Sequence, residues 1–166
     1  SNQMPFIKEK FKDYNSFAQA TLPEVYGNTN LKDAIHYKAV NFATSYFENN
    51  GDGTFTVKPL GKMSQTSSVN AINIHDFDGD GNLDVVLSGN LYASEVETPR
   101  NDASIGIFLK GNGKGVFAEI PANKSGLYLK GDVRNVEMIA VSGGKKALVV
   151  AKNDDFVQLI EIFKRQ

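Results

Sequence analysis

The sequence has no cysteine and no tryptophan, only two histidines, and a formal net charge of −1 over 166 residues. Without cysteine there is no disulfide, no thiolate metal site and no cysteine nucleophile. That absence does not fix the compartment, because many exported proteins lack cysteine too. Eighteen basic residues against 19 acidic ones exert no broad pull on nucleic acid. No apolar run is long enough to span a bilayer. The opening "SNQMPF" has neither the basic start nor the apolar stretch of a signal peptide. Ser1-Asn2 reads as the scar of a cleaved tag, in which case a native signal, and whole domains with it, would have been trimmed away. Serine has no recognisable triad arrangement. There is no P-loop and no dinucleotide fingerprint, since "GNGKG" lacks the spacing and sits in a hairpin rather than between strand and helix.

What is present is an ordinary share of hydrophobic (41%) and charged (22%) residues, enough for one well-buried domain over residues 1–166. The first 37 residues read as a helical preface. In "MPFIKEKFKDYNSFAQA" the apolar positions Phe6, Ile7, Phe11, Tyr14, Phe17 and Ala18 fall near a 3.6 period. Thr21 with Glu24 makes a capping-box pattern, and Gly27 can end that helix. Asn30 with Asp33 offers a third start at "LKDAIH". From about residue 38, short apolar stretches alternate with Gly, Asn and Asp clusters, the pattern of strands joined by tight turns. The expected strands are "AVNFATSYFEN", "TFTVKPL", "VNAINIH", "LDVVLSGN", "SIGIFLKG", "GVFAEI", "VEMIAV", "KALVVAKN" and "FVQLIEIFK".

This strand region repeats. "NNGDGTF" (49–55) aligns with "GNGKGVF" (111–117) at an offset of 62, and "LDVVLSGN" (83–90) aligns with "KALVVAKN" (146–153) at 63. Two matches at nearly one period imply units of about four strands, the size of one β-propeller blade. The expected fold is mainly β: a partial propeller of about two to two and a half four-stranded antiparallel blades behind an N-terminal helical segment. Residues 38–60 would be a half blade, 69–120 a complete one and 131–163 a further one. So few blades do not close a ring. Further blades from a longer parent chain, self-association, or cover from the helices would have to blunt the open edge.

The most unusual stretch is "DFDGDGNLD" at 76–84. Asp76, Asp78, Asp80, Asn82 and Asp84 alternate, so their oxygens can converge on one centre if the chain wraps round it. Gly79 and Gly81 permit the sharp turns. A hard cation with oxygen ligands fits this set, calcium better than magnesium, which tends to keep its waters. Asn82 would give its backbone carbonyl and the four aspartates their carboxylates. The pattern begins like an EF-hand, but position 12 is Leu87 rather than Glu and the flanks look like strands. The competing reading is a metal-free Asp/Gly hairpin. Asp52 in the earlier "NNGDG" turn has Lys114 as its counterpart, so both of those turns read as plain hairpins.

"DFDGDGNLD" followed by an apolar strand, with "NNGDGTF" in the turn before it, resembles the FG-GAP/VCBS repeat, over about residues 38–163. That family builds the calcium-binding blades of integrin-α-type propellers and of many bacterial exported proteins, including those related to cartilage acidic protein. The resemblance implies one Ca2+ site at the five residues above, an exported location (extracellular, periplasmic or cell-surface), and a non-catalytic module that binds a protein or glycan partner. The last unit departs from the pattern. At an offset of 63, "IAVSGGKKA" (139–147) falls on the loop, with Ile139, Val141, Gly143 and Ala147 in place of the aspartates and Gly144 on Gly81. That unit is expected to fold without metal. Residues 91–104, "LYASEVETPRNDAS", form a long polar connection that reads either as a recognition loop or as a solvated one. The alternative function is a portion of a larger glycan-active enzyme. It would need two converging carboxylates outside the loop, which leave no sequence mark of their own.

Overall fold

A computed structural model of the protein describes residues 4–163. Ser1-Asn2 and Lys164, the last residue of the final expected strand, lie outside them. The chain divides into two compact units, Ser1–Asn41 and Phe42–Gln166. Among the described residues no helix is long and apolar enough to cross a membrane.

The first unit holds four short helices: α1 (Phe6–Lys10), α2 (Tyr14–Gln19), α3 (Leu22–Tyr26) and α4 (Asn28–Leu31). The one continuous helix that the apolar period suggests is broken after Lys10, where Phe11 turns extended. Asp13 is the reason. Its carboxylate takes the backbone N–H of Ser16 at 2.8 Å and so starts a new helix as its N-cap, the place where a short acidic side chain is favoured over a helix interior. Phe11 and Phe17 still meet edge to face across the break, with centroids 5.5 Å apart. The second expected start is as read: α3 carries the Thr21/Glu24 capping box and ends at Gly27, with φ +84°. The third is displaced. Asn30 bonds back to the Tyr26 carbonyl at 2.8 Å, so the turn forms at 28–31 and "LKDAIH" lies mostly beyond it.

The second unit is built of three antiparallel sheets. The first pairs β1 (Ser45–Asn49) with β2 (Phe55–Pro59). The second has the order β3 (Val69–His75), β4 (Asp84–Gly89), β5 (Ile107–Gly111), β6 (Phe117–Ile120). The third has the order β7 (Val133–Val141), β8 (Lys145–Lys152), β9 (Gln158–Ile162). Among the described residues these sheets do not close a ring. Every expected strand exists, but β1 begins only at Ser45. Beyond the Ser45–Pro59 pair the Leu60 N–H still reaches the Thr44 carbonyl at 3.0 Å, but the Thr44 N–H goes to the Gln65 side chain at 2.8 Å, and the ladder stops there. One short helix, α5 (Ala122–Ser125) after Pro121, has no counterpart in the sequence reading.

The repeat survives in the pairing. Asn49 opposite Phe55 in the first sheet corresponds to Gly111 opposite Phe117 in the second, 62 residues on. The β1–β2 hairpin therefore matches the β5–β6 half of a four-stranded sheet. A bulge between Val69 and Ala71 on β3 recurs between Val133 and Asn135 on β7. That spacing is 64, whereas β4 and β8 remain 63 apart. The hairpin of the third sheet is thus one residue shorter than that of the second, and the constant offset of 63 needs correcting at this point.

Two apolar clusters hold the sheets. Ala71, Val86, Val133, Val136, Leu148 and Val150, from β3, β4, β7 and β8, join Leu127 and Leu129 between the second and third sheets. Leu87, Ile107 and Leu109 form the other, with Leu60 and Phe117 against them. Burial of this kind gives about 25 cal/mol per Å² of apolar area removed from water. β4 is buried along almost its whole length. Polar contacts fix how the sheets meet. The Asn70 amide donates to the carbonyls of Asn90 (2.8 Å) and Val133 (3.2 Å), and the Asn73 amide donates to the Val136 carbonyl (3.1 Å). Asn70→Ala removes the donor for two partly buried carbonyls. It is expected to cost about 1–2 kcal/mol, seen as a melting temperature a few degrees lower. An unchanged melt would mean that apolar packing alone sets the sheet contact.

Candidate metal centre

The aspartate loop joins β3 to β4, and the strand ends hold it open. His75 pairs with Asp84, so the intervening eight residues must travel out and back. Within them the side chains alternate in role. Phe77 packs inward against the first apolar cluster and meets Phe108 edge to face at 5.8 Å. Gly79 and Gly81 have φ of +81° and +88°, where a Cβ would be strained. The odd positions are left to carry oxygen.

Asp76 organises the loop. One of its carboxylate oxygens accepts the N–H groups of Gly79 (2.7 Å) and Asp80 (3.1 Å), and the other accepts that of Gly81 (3.0 Å). Asp84 anchors it. This residue is wholly buried. One carboxylate oxygen accepts the Gly111 N–H at 2.9 Å and the other accepts the Phe77 N–H at 3.1 Å, tying the loop's start and the end of β5 to the start of β4. Asp78 accepts the Asp80 N–H at 3.1 Å, and Asp80 accepts the Asn82 N–H at 2.8 Å. Asn82 turns its side-chain oxygen toward Gly113 in the β5–β6 turn, so closely that a Cβ at position 113 would collide with it.

Asp76, Asp78 and Asp84 each offer a carboxylate oxygen, and the three lie within 4.8 Å of one another. Two oxygens on opposite sides of a calcium ion, each about 2.3–2.6 Å from it, stand about 5 Å apart. One hard cation can therefore touch all three. A carboxylate has lone pairs to spare for this while it accepts backbone N–H groups. The residues present fit a hard cation, with those three as its carboxylate holders.

The structure places Asp80 differently from the other three. Its second oxygen lies 2.9 Å from the Lys110 ammonium, which also pairs with Asp78. The Asp80 carboxyl is held below its ordinary pKa, first by the Asn82 N–H and then by Lys110. Lys110 is pushed above its own, chiefly by Asp78 and then by Asp80. Lys110 was not among the site residues that the sequence suggested. It lies on another strand, and no spacing rule connects it to the loop.

The other turns behave as hairpins. Asp52 accepts the Thr54 N–H at 2.9 Å and Asn112 accepts the Lys114 N–H at 2.9 Å, both local turn contacts. In the third sheet the pairing runs past Ile139–Ala147 to Ala140–Lys146 and Val141–Lys145, and closes over Ser142–Gly144. With one residue fewer, this hairpin zips shut where its counterpart stays open.

Residues 39–87 match the FG-GAP-like repeat family. No curated protein and no solved structure matches the chain. The matched stretch begins just before β1 and runs through the aspartate loop into β4. The repeat as a unit of sequence is thus out of step with the sheets: it spans the outer hairpin of one and the first hairpin of the next.

Proposed function

We propose that this chain, which carries an FG-GAP-like repeat over residues 39–87, is a non-catalytic, calcium-stabilised interaction module of an exported protein. The observation that carries the reading is the convergence of Asp76, Asp78 and Asp84 on a point that one cation can fill, in a loop anchored by a buried carboxylate. Calcium suits it better than magnesium, because the larger ion takes six to eight oxygen ligands from a flexible loop while magnesium tends to keep its waters. Asp80 and the Asn82 backbone carbonyl complete the ligand set. The ion joins β3 to β4 and, through Asp84, to β5, so its role is to fix one sheet. The three sheets act as blades of a partial propeller. Support comes from the matching pairings at a period of 62 to 64 residues and from the side-by-side placement of β3 and β7 through Asn70 and Asn73. A weak extracellular-type site, with a Kd on the order of 10⁻⁴–10⁻³ M, would stay filled outside the cytoplasm. The partner is a protein or a glycan bound on the propeller surface.

Calorimetric titration of the chelator-treated protein with calcium is the test. One ion per chain is expected, with magnesium weaker. No heat of binding and no protection against unfolding would overturn the reading. Two ions per chain would mean that the Ser142–Gly144 turn also takes a cation.

A further inference from the structure

In the second and third sheets one equivalent position carries charges of opposite sign, each paired with the connection beside it. On β5, Leu109 lies opposite Val85; on β9, Ile160 lies opposite Leu148. Val85 and Leu148 are equivalent in the repeat, so Leu109 and Ile160 are equivalent, and the next residues, Lys110 and Glu161, occupy one position. Lys110 reaches the acidic β3–β4 loop, where its ammonium bridges Asp78 and Asp80. Glu161 reaches the start of β8, next to the β7–β8 turn, where its carboxylate lies 2.5 Å from the Lys145 ammonium. The strand beside each connection thus supplies the charge opposite to that connection. An isolated exposed pair contributes little to stability. That one strand position carries the charge opposite to the neighbouring connection in both sheets points to the charge of the connection as the thing being matched.

We propose that Lys110 is the resident counterion of the aspartate loop and the residue that sets its metal affinity. Its ammonium occupies Asp78 and Asp80 until a divalent ion displaces it. The inference rests on the calcium reading above. Lys110 holds one oxygen of Asp80 and one of Asp78, so full coordination requires those carboxylates to exchange the ammonium for the metal. The exchange makes binding weaker than five oxygen donors alone would give. In return Asp78 and Asp80 are not left to repel one another when the metal is absent.

The test compares wild type, Lys110→Met, Lys110→Arg and a charge control, Lys114→Met, in the neighbouring β5–β6 turn. Each is titrated calorimetrically with calcium and melted in chelator. Lys110→Met is expected to bind calcium roughly tenfold more tightly, the scale of one unit charge removed at contact distance near the surface. It should also melt at a lower temperature than wild type in chelator. Lys110→Arg should keep the weaker affinity, and Lys114→Met should stay within about twofold of wild type, as expected of a charge that touches no ligand. Equal affinities for wild type and Lys110→Met, or a gain in Lys114→Met as large as that in Lys110→Met, would overturn the counterion role and leave the calcium reading standing. Absence of binding by all four proteins would overturn both.

Discussion

Asp84→Ala is expected to lower the melting temperature by roughly 5–15 °C, and to do so in chelator as well as in calcium. The effect in chelator is the informative one. Asp84 has no exposed surface, and its two oxygens satisfy the N–H groups of Gly111 and Phe77 from within the fold. Alanine leaves both donors without an acceptor, at about 1–3 kcal/mol for each buried group, and loses whatever the metal contributed. Asp84→Asn keeps the shape and a single acceptor oxygen, so it should fall between alanine and wild type. If Asp84→Ala melts with wild type in chelator, the loop is closed by something other than these two bonds.

Calcium itself is expected to raise the wild-type melting temperature by roughly 5–10 °C at a concentration 100 times Kd, the equivalent of about 2.7 kcal/mol for a ligand that binds only the folded state. Asp80→Ala should lose most of that rise while melting close to wild type in chelator. The contrast with Asp84 follows from position. Asp80 is exposed and its bonds go to Asn82 and Lys110 at the loop's outer rim, so without metal little depends on it. A wild-type protein that melts identically in calcium and chelator would remove the metal's stabilising role and leave only that of the Asp84 bonds.

The strands, the hairpin turns and the repeat were legible in the sequence because they rest on local signals: alternation, glycine at positive φ, and self-similarity. Asp76, Asp78 and Asp84 come together as their alternation implies, with Phe77 between them turned to the core, although Asp80 stands outside that cluster and Leu83 is exposed. Three things were not legible. The break at Phe11 depends on Asp13 choosing to cap rather than to sit in a helix, a choice that the apolar period does not record. The one-residue shortening of the third hairpin is invisible to a single offset, because β7 and β8 shift by different amounts. Lys110 and Glu161 are brought to their loops by strand pairing, and the only sequence trace of them is a charge reversal that becomes meaningful once β5 and β9 are aligned through their partners.

The zipped hairpin at 140–146 also has a consequence for how such a protein can change over generations. The β3–β4 loop can lose the exposed Asp78 or Asp80 with its buried Asp84 anchor still in place. To take a cation of the same kind, the third sheet would need an inserted residue to reopen the Ala140–Lys146 and Val141–Lys145 pairs, several acidic side chains at once, and removal of the two lysines. No single one of these steps yields any binding by itself. Thinning the outer carboxylates of the second sheet's loop is therefore a gentle slope, and building such a loop in the third sheet is a cliff.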